Sequence, residues 1–378
     1  MKRIAWLRAA LAVLCLVVTV VGAAAQPPPL FYAVLSDTQK GDDNPFDDFR
    51  WAVEQVNDLQ PQFVLFPGDL TDSGTVNQYK HWTAVRRDLR VPLYACPGNH
   101  DGVPGATDYA RRFAQFVGCP TYYARQLGGW KLLVLDGVCF KEGKLQHEGS
   151  IPPEELEWLR SELFRLSPQQ PILVLCHFPL LPQWSQVSNA AELLACFEGK
   201  YLAYTLTGHW HSNAHARDDQ GRLHLVTSSL SFAGPPDGIG YRLLSTVGPD
   251  LYTAWVGRKV EEPLTLLGET SGAGPLTVSA PRNAPVLALR VEYQGGPLRV
   301  RLSGPWGIEW VGVLPAAPER AQALVPLRGP WRERLSGEGD LRLSVEPLAT
   351  TRVARLALYT SPLAWQYYRL PSPPPSPR

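Results

Sequence analysis

The chain has 378 residues, 45% of them hydrophobic and 19% charged, with a formal net charge of +1. That length exceeds one typical core and points to two domains, while the composition excludes a disordered or fibrous chain. The balanced charge gives no support for a nucleic-acid partner, whose binders usually carry a clear basic excess.

Lys2, Arg3 and Arg8 precede an apolar run from Leu11 to Val21, and Ala23-Ala24-Ala25 offers a small-residue cleavage site before Gln26. These are the parts of a signal peptide over residues 1–25. An uncleaved anchor is the alternative, but the run is shorter than the ~20 residues a span prefers. The expectation is a secreted or periplasmic protein with no stable membrane anchor after cleavage.

From Phe31 to Val256 strand and helix signals alternate, the mark of an α/β sheet. Apolar runs at Phe31 to Leu35, Phe63 to Phe66, Val91 to Ala95, Ile172 to Leu175 and Tyr201 to Leu206 read as buried strands. Helical spacing of apolar residues fills Phe46 to Leu59 and Pro153 to Leu166, the second behind Pro152-Pro153 and Glu154-Glu155, which suit a helix start. Between them, Thr121 to Leu127 and Trp130 to Asp136 form a hairpin across Gly128-Gly129. Extending that ladder brings Cys119 within one residue of Cys139, so a disulfide there is geometrically possible. Cys96 and Cys176 end strands and read as core thiols.

After Lys259 the pattern changes. Residues 260–275, rich in Gly, Pro, Ser and Thr, read as a linker. Short alternating runs over 276–366, among them Val286 to Tyr293 and Val353 to Tyr359, fit a smaller all-β, sandwich-like domain. Residues 367–378, ending in Pro-Ser-Pro-Pro-Pro-Ser-Pro-Arg, read as a disordered tail.

Each of the five strands ends in a polar motif: Asp37-Thr38-Gln39, Gly68-Asp69-Leu70-Thr71-Asp72, Gly98-Asn99-His100-Asp101, His177, and Gly208-His209-Trp210-His211. Open α/β sheets gather ligands at the carboxyl ends of their strands, so the motifs predict one cluster of oxygen and nitrogen donors. Such a cluster suits two divalent ions that share a bridging carboxylate. Asp69 is the natural bridge, because Gly68 lets the backbone approach closely. Asp37 and His211 can complete one ion's surroundings, and Asn99, His177 and His209 the other's. His209 and His211, two apart, would share one face of a continuous strand.

In this order the motifs resemble those of the calcineurin-like metallophosphoesterase superfamily, D-x-H, G-D-x-x-D, G-N-H-[DE], H and G-H-x-H. The resemblance covers Phe31 to Val256. It implies an α/β fold, a four-layer α/β/β/α metallophosphoesterase sandwich over 26–259, with the all-β domain following. It also implies Asp37, Asp69 and His211 as ligands of one ion and Asp69, Asn99, His177 and His209 as ligands of the other. Asp72 and His100 look like the family's carboxylate–histidine dyad.

Two departures stand out. Gln39 replaces the histidine of the first motif, as in some relatives of the protein phosphatases with D-x-Q. Its amide oxygen can still coordinate as a harder ligand than imidazole, which favours Mn, Fe or Mg over Zn; Mn, Fe and Zn remain the candidate ions. Ser73 stands where Ser/Thr protein phosphatases place a phosphate-gripping arginine.

The function so implied is an exported phosphoester hydrolase in which a metal-bridging hydroxide attacks a phosphomonoester on a small molecule or a phosphoprotein, with His100 and Asp72 handling charge and protons. A phosphodiesterase or nucleotide hydrolase with the same centre, and a non-catalytic binding protein with a degenerate centre, remain open. Because every proposed ligand precedes Ser212, the carboxyl-terminal region is expected to be dispensable for chemistry.

Overall fold

The computed structural model describes residues 26–40, 46–102, 108–141, 144–180, 185–232, 238–279, 286–304, 309–327, 339–375. The expected signal peptide lies outside them. Among the described residues, no helix is long and apolar enough to cross a membrane.

The first part runs β1 (Leu30–Val34), α1 (Asp47–Leu59), β2 (Val64–Pro67), α2 (Val76–Arg86), β3 (Leu93–Cys96) and α3 (Tyr109–Val117). There follow β4 (Tyr123–Leu127), β5 (Trp130–Val134), the short pair β6 (Phe140–Lys141) and β7 (Lys144–Leu145), α4 (Pro153–Phe164), β8 (Ile172–Leu175) and α5 (Ala190–Ala195). The α/β part closes with β9 (Leu202–Thr207), β10 (Ala214–Arg217), β11 (Leu223–Val226), β12 (Gly240–Val247) and β13 (Asp250–Gly257).

Apolar residues on both faces of the central strands dictate the layering. Along the first strand, Phe31, Ala33 and Leu35 pack with α1 and α2, whereas Leu30, Tyr32 and Val34 pack against the second sheet. Strands buried on both sides need this double cover, which is why their sequences are continuously apolar. In α1, Phe49, Ala52, Val53, Val56 and Leu59 are buried at helical spacing, and Phe49 stacks on Trp82 of α2 with ring centroids 5.7 Å apart. On the outer face of the second sheet, Leu156, Leu159 and Leu163 of α4 join Leu193 and Leu194 of α5. The result is the expected four-layer sandwich. Two six-stranded sheets face each other, with β1, β2 and β3 parallel in one and β5, β8, β9 and β11 parallel in the other.

The carboxyl-terminal part is a β-sandwich. Its strands are β14 (Thr265–Thr270), β15 (Leu276–Ser279), β16 (Val286–Gly295), β17 (Leu298–Ser303), β18 (Glu309–Leu314), β19 (Ala317–Leu327), β20 (Asp340–Pro347) and β21 (Thr351–Ser361). They pair as two four-stranded sheets, β14-β21-β16-β19 and β15-β20-β17-β18, around a core that includes Leu289, Val291, Val300, Leu302, Leu343 and Leu358.

Three expectations need correction. The segment 260–275 is not merely a linker: β14 within it pairs with β21, because Leu266 and Thr270 suit an edge strand. The tail does not begin at 367 either. A final strand, β22 (Gln366–Arg369), returns to the first sheet and pairs with β13, placing Tyr368 beside Leu251 and burying Leu370. Cys119 and Cys139 are unpaired thiols. The hairpin ladder holds from Leu127–Trp130 to Tyr123–Val134 but ends there, and Cys119 turns to the carbonyl of Ala95 instead.

Nor does the sandwich hang free. Ala288, Leu324 and Ala357 belong to the same apolar cluster as Phe31 and Val53, and Ser245 Oγ accepts a hydrogen bond from Leu324 N. Arg290, 3% exposed, reaches from β16 to the carbonyls of Leu59 and Gln60, each at 2.7 Å, and so caps the carboxyl end of α1. The carboxyl-terminal region is thus part of the fold that carries the site, whatever its distance from the chemistry.

Arg290→Ala is expected to destabilise the chain by about 3 kcal/mol, because the buried carbonyl of Leu59 and the half-buried contact to Gln60 lose a charged donor and Glu292 loses a buried partner. Denaturant unfolding checks this, and a shift under about 0.5 kcal/mol, the range of inert surface changes, would show that the junction is loose.

Candidate metal centre

The five motifs meet at the carboxyl ends of β1, β2, β3, β8 and β9. Their backbones are shaped for it. Asp37, Asp69, His209 and His211 all adopt left-handed φ, between 51° and 68°, a region costly for non-glycine residues. His209 and His211 therefore do not lie on a strand, since β9 ends at Thr207; a turn of alternating strain sends them to neighbouring positions. Two glycines make the approach possible. A Cβ on Gly68 would sit 2.7 Å from His177 Nδ1, and one on Gly98 would collide with the Asp69 carboxylate.

Two groups of donors result. The ligand atoms of Asp69, His177 and His209 lie within 4.8 Å of one another, as do those of Asp37, Asp69 and His211. Asp69 belongs to both groups, which is the arrangement a bridging carboxylate requires. In the first group the tautomer of His177 follows from its surroundings. Nδ1 is 2.7 Å from the Pro67 carbonyl, an acceptor only, so it carries a proton. Nε2 then faces Asn99 Oδ1 at 3.1 Å, Asp69 Oδ2 at 3.2 Å and His209 Nδ1 at 3.2 Å. Acceptors gathered around one point need a cation among them. Without a metal ion that cation is a proton: burial alone would lower His177, but the Asp69 carboxylate outweighs it and raises the imidazole, while Asp69 is held low. Burial and the charge of His177 push His209 down to about 3.

In the second group, Asp37 Oδ1 lies 3.3 Å from His211 Nε2 and accepts from His209 N at 3.1 Å. Gln39, 3% exposed, places Nε2 3.1 Å from His211 Nε2, and its Oε1 is buried without a hydrogen-bond partner. A half-turn of the amide exchanges these atoms and puts an oxygen donor beside His211. An orphaned acceptor next to two anionic carboxylates fits a cation site. The donor set therefore accepts two divalent ions, hard enough for oxygen and soft enough for imidazole.

The expected dyad is built differently. His100 N donates to Asp69 Oδ1 at 2.9 Å, which ties it to the bridge. Its Nδ1 donates at 2.7 Å to the main-chain carbonyl of Asp72, whereas the Asp72 carboxylate stands 3.9 Å away. The carbonyl thus orients the ring, and Asp72 side chain is a neighbour rather than the partner. Helix α2 needs no help from it, because Thr75 Oγ1 accepts from Gln78 N.

Several residues with a part in the site escape sequence reasoning. Asp101, fully buried, accepts from the backbone of Gly98, Leu70 and Thr71 and from Thr71 Oγ1, at 2.9–3.2 Å. It pins the loop after β2 to the loop after β3, and burial beside Asp69 raises its own affinity for a proton. Its place in the fourth position of Gly-Asn-His-Asp was the available signal. His147 packs its ring 4.6 Å from that of His209. His224 is buried and bonded to Thr205, away from the donor groups.

Residues 32–213 match a family model described as calcineurin-like phosphoesterase. A 3',5'-cyclic-nucleotide phosphodiesterase of Nostoc sp. is 26% identical over 231 residues, 56% of this chain and 82% of that protein. A probable glycerophosphodiester phosphodiesterase of Arcobacter nitrofigilis is 29% identical over 172 residues, 42% of this chain and 61% of that protein. Among solved structures, a dimetal phosphatase of Danio rerio is similar over 61% of this chain and 97% of that one, with a TM-score of 0.49 and 16% identity.

Outside the donor groups, Glu155 of α4 accepts from Asp136 N at 2.9 Å, and its second oxygen is buried without a hydrogen-bond partner. Burial, with the nearby Asp136, pushes its carboxyl up to about 9. A folded-state value above the unfolded one stabilises below about pH 4.3 in full and is lost as pH rises towards 9. Glu155→Gln is therefore expected to flatten the loss of stability between pH 6 and 9 and to exceed wild type by about 1–3 kcal/mol at the alkaline end. Calorimetric melts at both pH values decide it; parallel pH profiles for the two proteins would exclude the buried proton.

Proposed function

Residues 32–213 belong to the calcineurin-like phosphoesterase family, and on that premise we propose that the chain is a two-metal phosphodiesterase acting on small phosphodiesters. The observation that carries the reading is the pair of donor groups sharing Asp69. Asp37, Gln39 and His211 would hold one ion, Asn99, His177 and His209 the other, and Asp69 both. When bound, the ions supply positive charge for the phosphoryl oxygens and lower the pKa of the attacking water.

The chain's own groups do the rest. Asp69 and Asp37 fix the charge of the centre. His177, held by the Pro67 carbonyl through Nδ1, presents only Nε2, which in its deprotonated form would be the ligand atom. His100, with Nδ1 committed to the Asp72 carbonyl, has Nε2 left to stabilise the phosphoryl group or to protonate the leaving oxygen.

The monoester expected from sequence gives way to a diester on two grounds. Both curated relatives above are named for diester hydrolysis. Ser73, bonded to Gln78, occupies the place of an arginine that would balance the second charge of a monoester, and Arg112 nearby is spent on Gly74 O and Asp108. A singly charged diester asks for less. The basic start, apolar run and alanines of residues 1–25 support export to the periplasm or beyond.

The test uses full-length protein stripped with chelator and reloaded with Mn, Fe, Zn or Mg. Bis(4-nitrophenyl) phosphate should turn over faster than 4-nitrophenyl phosphate, and only after reloading. Asp69→Asn should abolish turnover and lower metal content. His100→Ala should retain both ions and lose about 10²–10⁴-fold in kcat. Asp72→Asn should lose less than about tenfold, because it leaves the carbonyl that orients His100. Wild-type turnover and two bound ions in Asp69→Asn would overturn the reading; a monoester preference would overturn its diester part.

A further inference from the structure

Phe232 is 56% exposed at the edge of the metal centre. Single exposed apolar side chains are ordinary and need no explanation, and Phe164 at the end of α4, 88% exposed, is one. Phe232 differs in how it is held. Its ring lies nearly parallel to the imidazole of His211, at 16°, with centroids 6.3 Å apart, an offset-stacked pair. His211 is itself fixed by Asp37 and Gln39.

The turn that carries Phe232 is anchored to the same metal-ligating segment. Ser229 Oγ donates to the Asp37 carbonyl at 2.7 Å and accepts from Ser231 N at 2.8 Å and Phe232 N at 3.0 Å. Leu230 N donates to the Ser36 and Asp37 carbonyls, and Ser228 Oγ to that of His211. Ser228, Ser229 and Ser231 are all buried, and the bonds of Ser229 to the Asp37 carbonyl and to Ser231 N are shielded from water. A flat apolar face is thereby kept in register with Asp37 and His211. The other histidine of that motif, His209, packs against the polar ring of His147 and the fully buried Phe178. Phe178 has no exposed face, whereas Phe232 on the His211 side does.

We propose that Phe232 is the specificity-determining platform of the site, stacking on an aromatic ring of the substrate and so favouring phosphoesters that bear a nucleobase or an aryl group over those of glycerol. The inference rests on the phosphoesterase reading above. An aromatic surface adds nothing for a glycerol diester, whose exposed groups are hydroxyls, but it replaces water on the face of a base. Base–aromatic stacking of this kind changes affinity by roughly 5- to 150-fold when the side chain is truncated.

Binding, not turnover, tests it. Manganese-loaded full-length protein is titrated by calorimetry with adenosine 5'-monophosphate, phenyl phosphate and glycerol 3-phosphate, for wild type, Phe232→Ala and Phe232→Trp. Metal content is measured for each. AMP should bind wild type about tenfold or more tightly than glycerol 3-phosphate does, by the stacking range just given. Phe232→Ala should erase that ratio with glycerol 3-phosphate changed less than about twofold, and Phe232→Trp should restore it. Phenyl phosphate that follows AMP assigns the platform to any aromatic ring; phenyl phosphate that follows glycerol 3-phosphate assigns it to the larger nucleobase. Equal affinities of AMP and glycerol 3-phosphate in wild type overturn the proposal, as does an equal loss of both in Phe232→Ala, which would make the ring a mere support for His211. Either failure leaves the phosphodiesterase reading standing, because that reading is decided by turnover of bis(4-nitrophenyl) phosphate.

Discussion

The structure depends on one carboxylate. Asp69 is buried at 1% exposure, adopts a left-handed backbone, and lies in both groups of candidate ligands. A buried anion without compensation costs several kcal/mol. Here His177, the backbone of His100 and the place for two cations supply that compensation. The neighbouring features follow from getting this group in and keeping it there. Gly68 and Gly98 clear its space, and Asp101 holds the two loops on either side of it. His177 is locked by the Pro67 carbonyl from behind, on the residue that closes β2.

Much of this was legible because the fold rule is positional. Strands buried on both faces produce continuous apolar runs, and ligands of an α/β sheet collect where those runs end. Asp37, Asp69, Asn99, His177, His209 and His211 could therefore be found from the run that precedes each. The boundaries of β8 coincide with the run Ile172–Leu175, and the other four strands shift by only a residue or two. The details that escaped are those without periodicity. Asp101 works through backbone N–H groups, which every residue has, and the choice of the Asp72 carbonyl over its carboxylate is a matter of loop geometry. Phe232 was silent for the same reason, since its position is set by Ser229 and the Asp37 carbonyl, far apart in the chain.

The carboxyl-terminal half was legible in class but not in attachment. Short alternating runs announced a sandwich, yet nothing local marks β14 as its edge or β22 as the sixth strand of the first sheet. Those pairings are long-range, and the sequence around them is short and proline-rich. Composition favoured linker and tail, and tertiary pairing overrode it, as it commonly does for weak strands. Arg290 shows the same limit from the other side. A lone arginine on a strand reads as a solvated charge, but it is the residue that joins the sandwich to α1.

Strain and support are thus distributed in a way that holds the candidate metal centre together. Four ligand-bearing residues in left-handed conformations each cost of order 1–3 kcal/mol. Such backbones persist only if the surroundings over-determine them, and the turns holding Asp37, Asp69 and His211 are fixed by hydrogen bonds donated by Ser229 Oγ, accepted by the Asp101 carboxylate and donated by Ser228 Oγ, respectively. These supports lie on loops after different strands, so no single element can build the centre alone. Both sheets must be seated face to face before the donors meet. The first sheet is in turn closed by β22 and braced by β16 and β19, which makes the distant sandwich part of what holds an ångström-scale metal site in place.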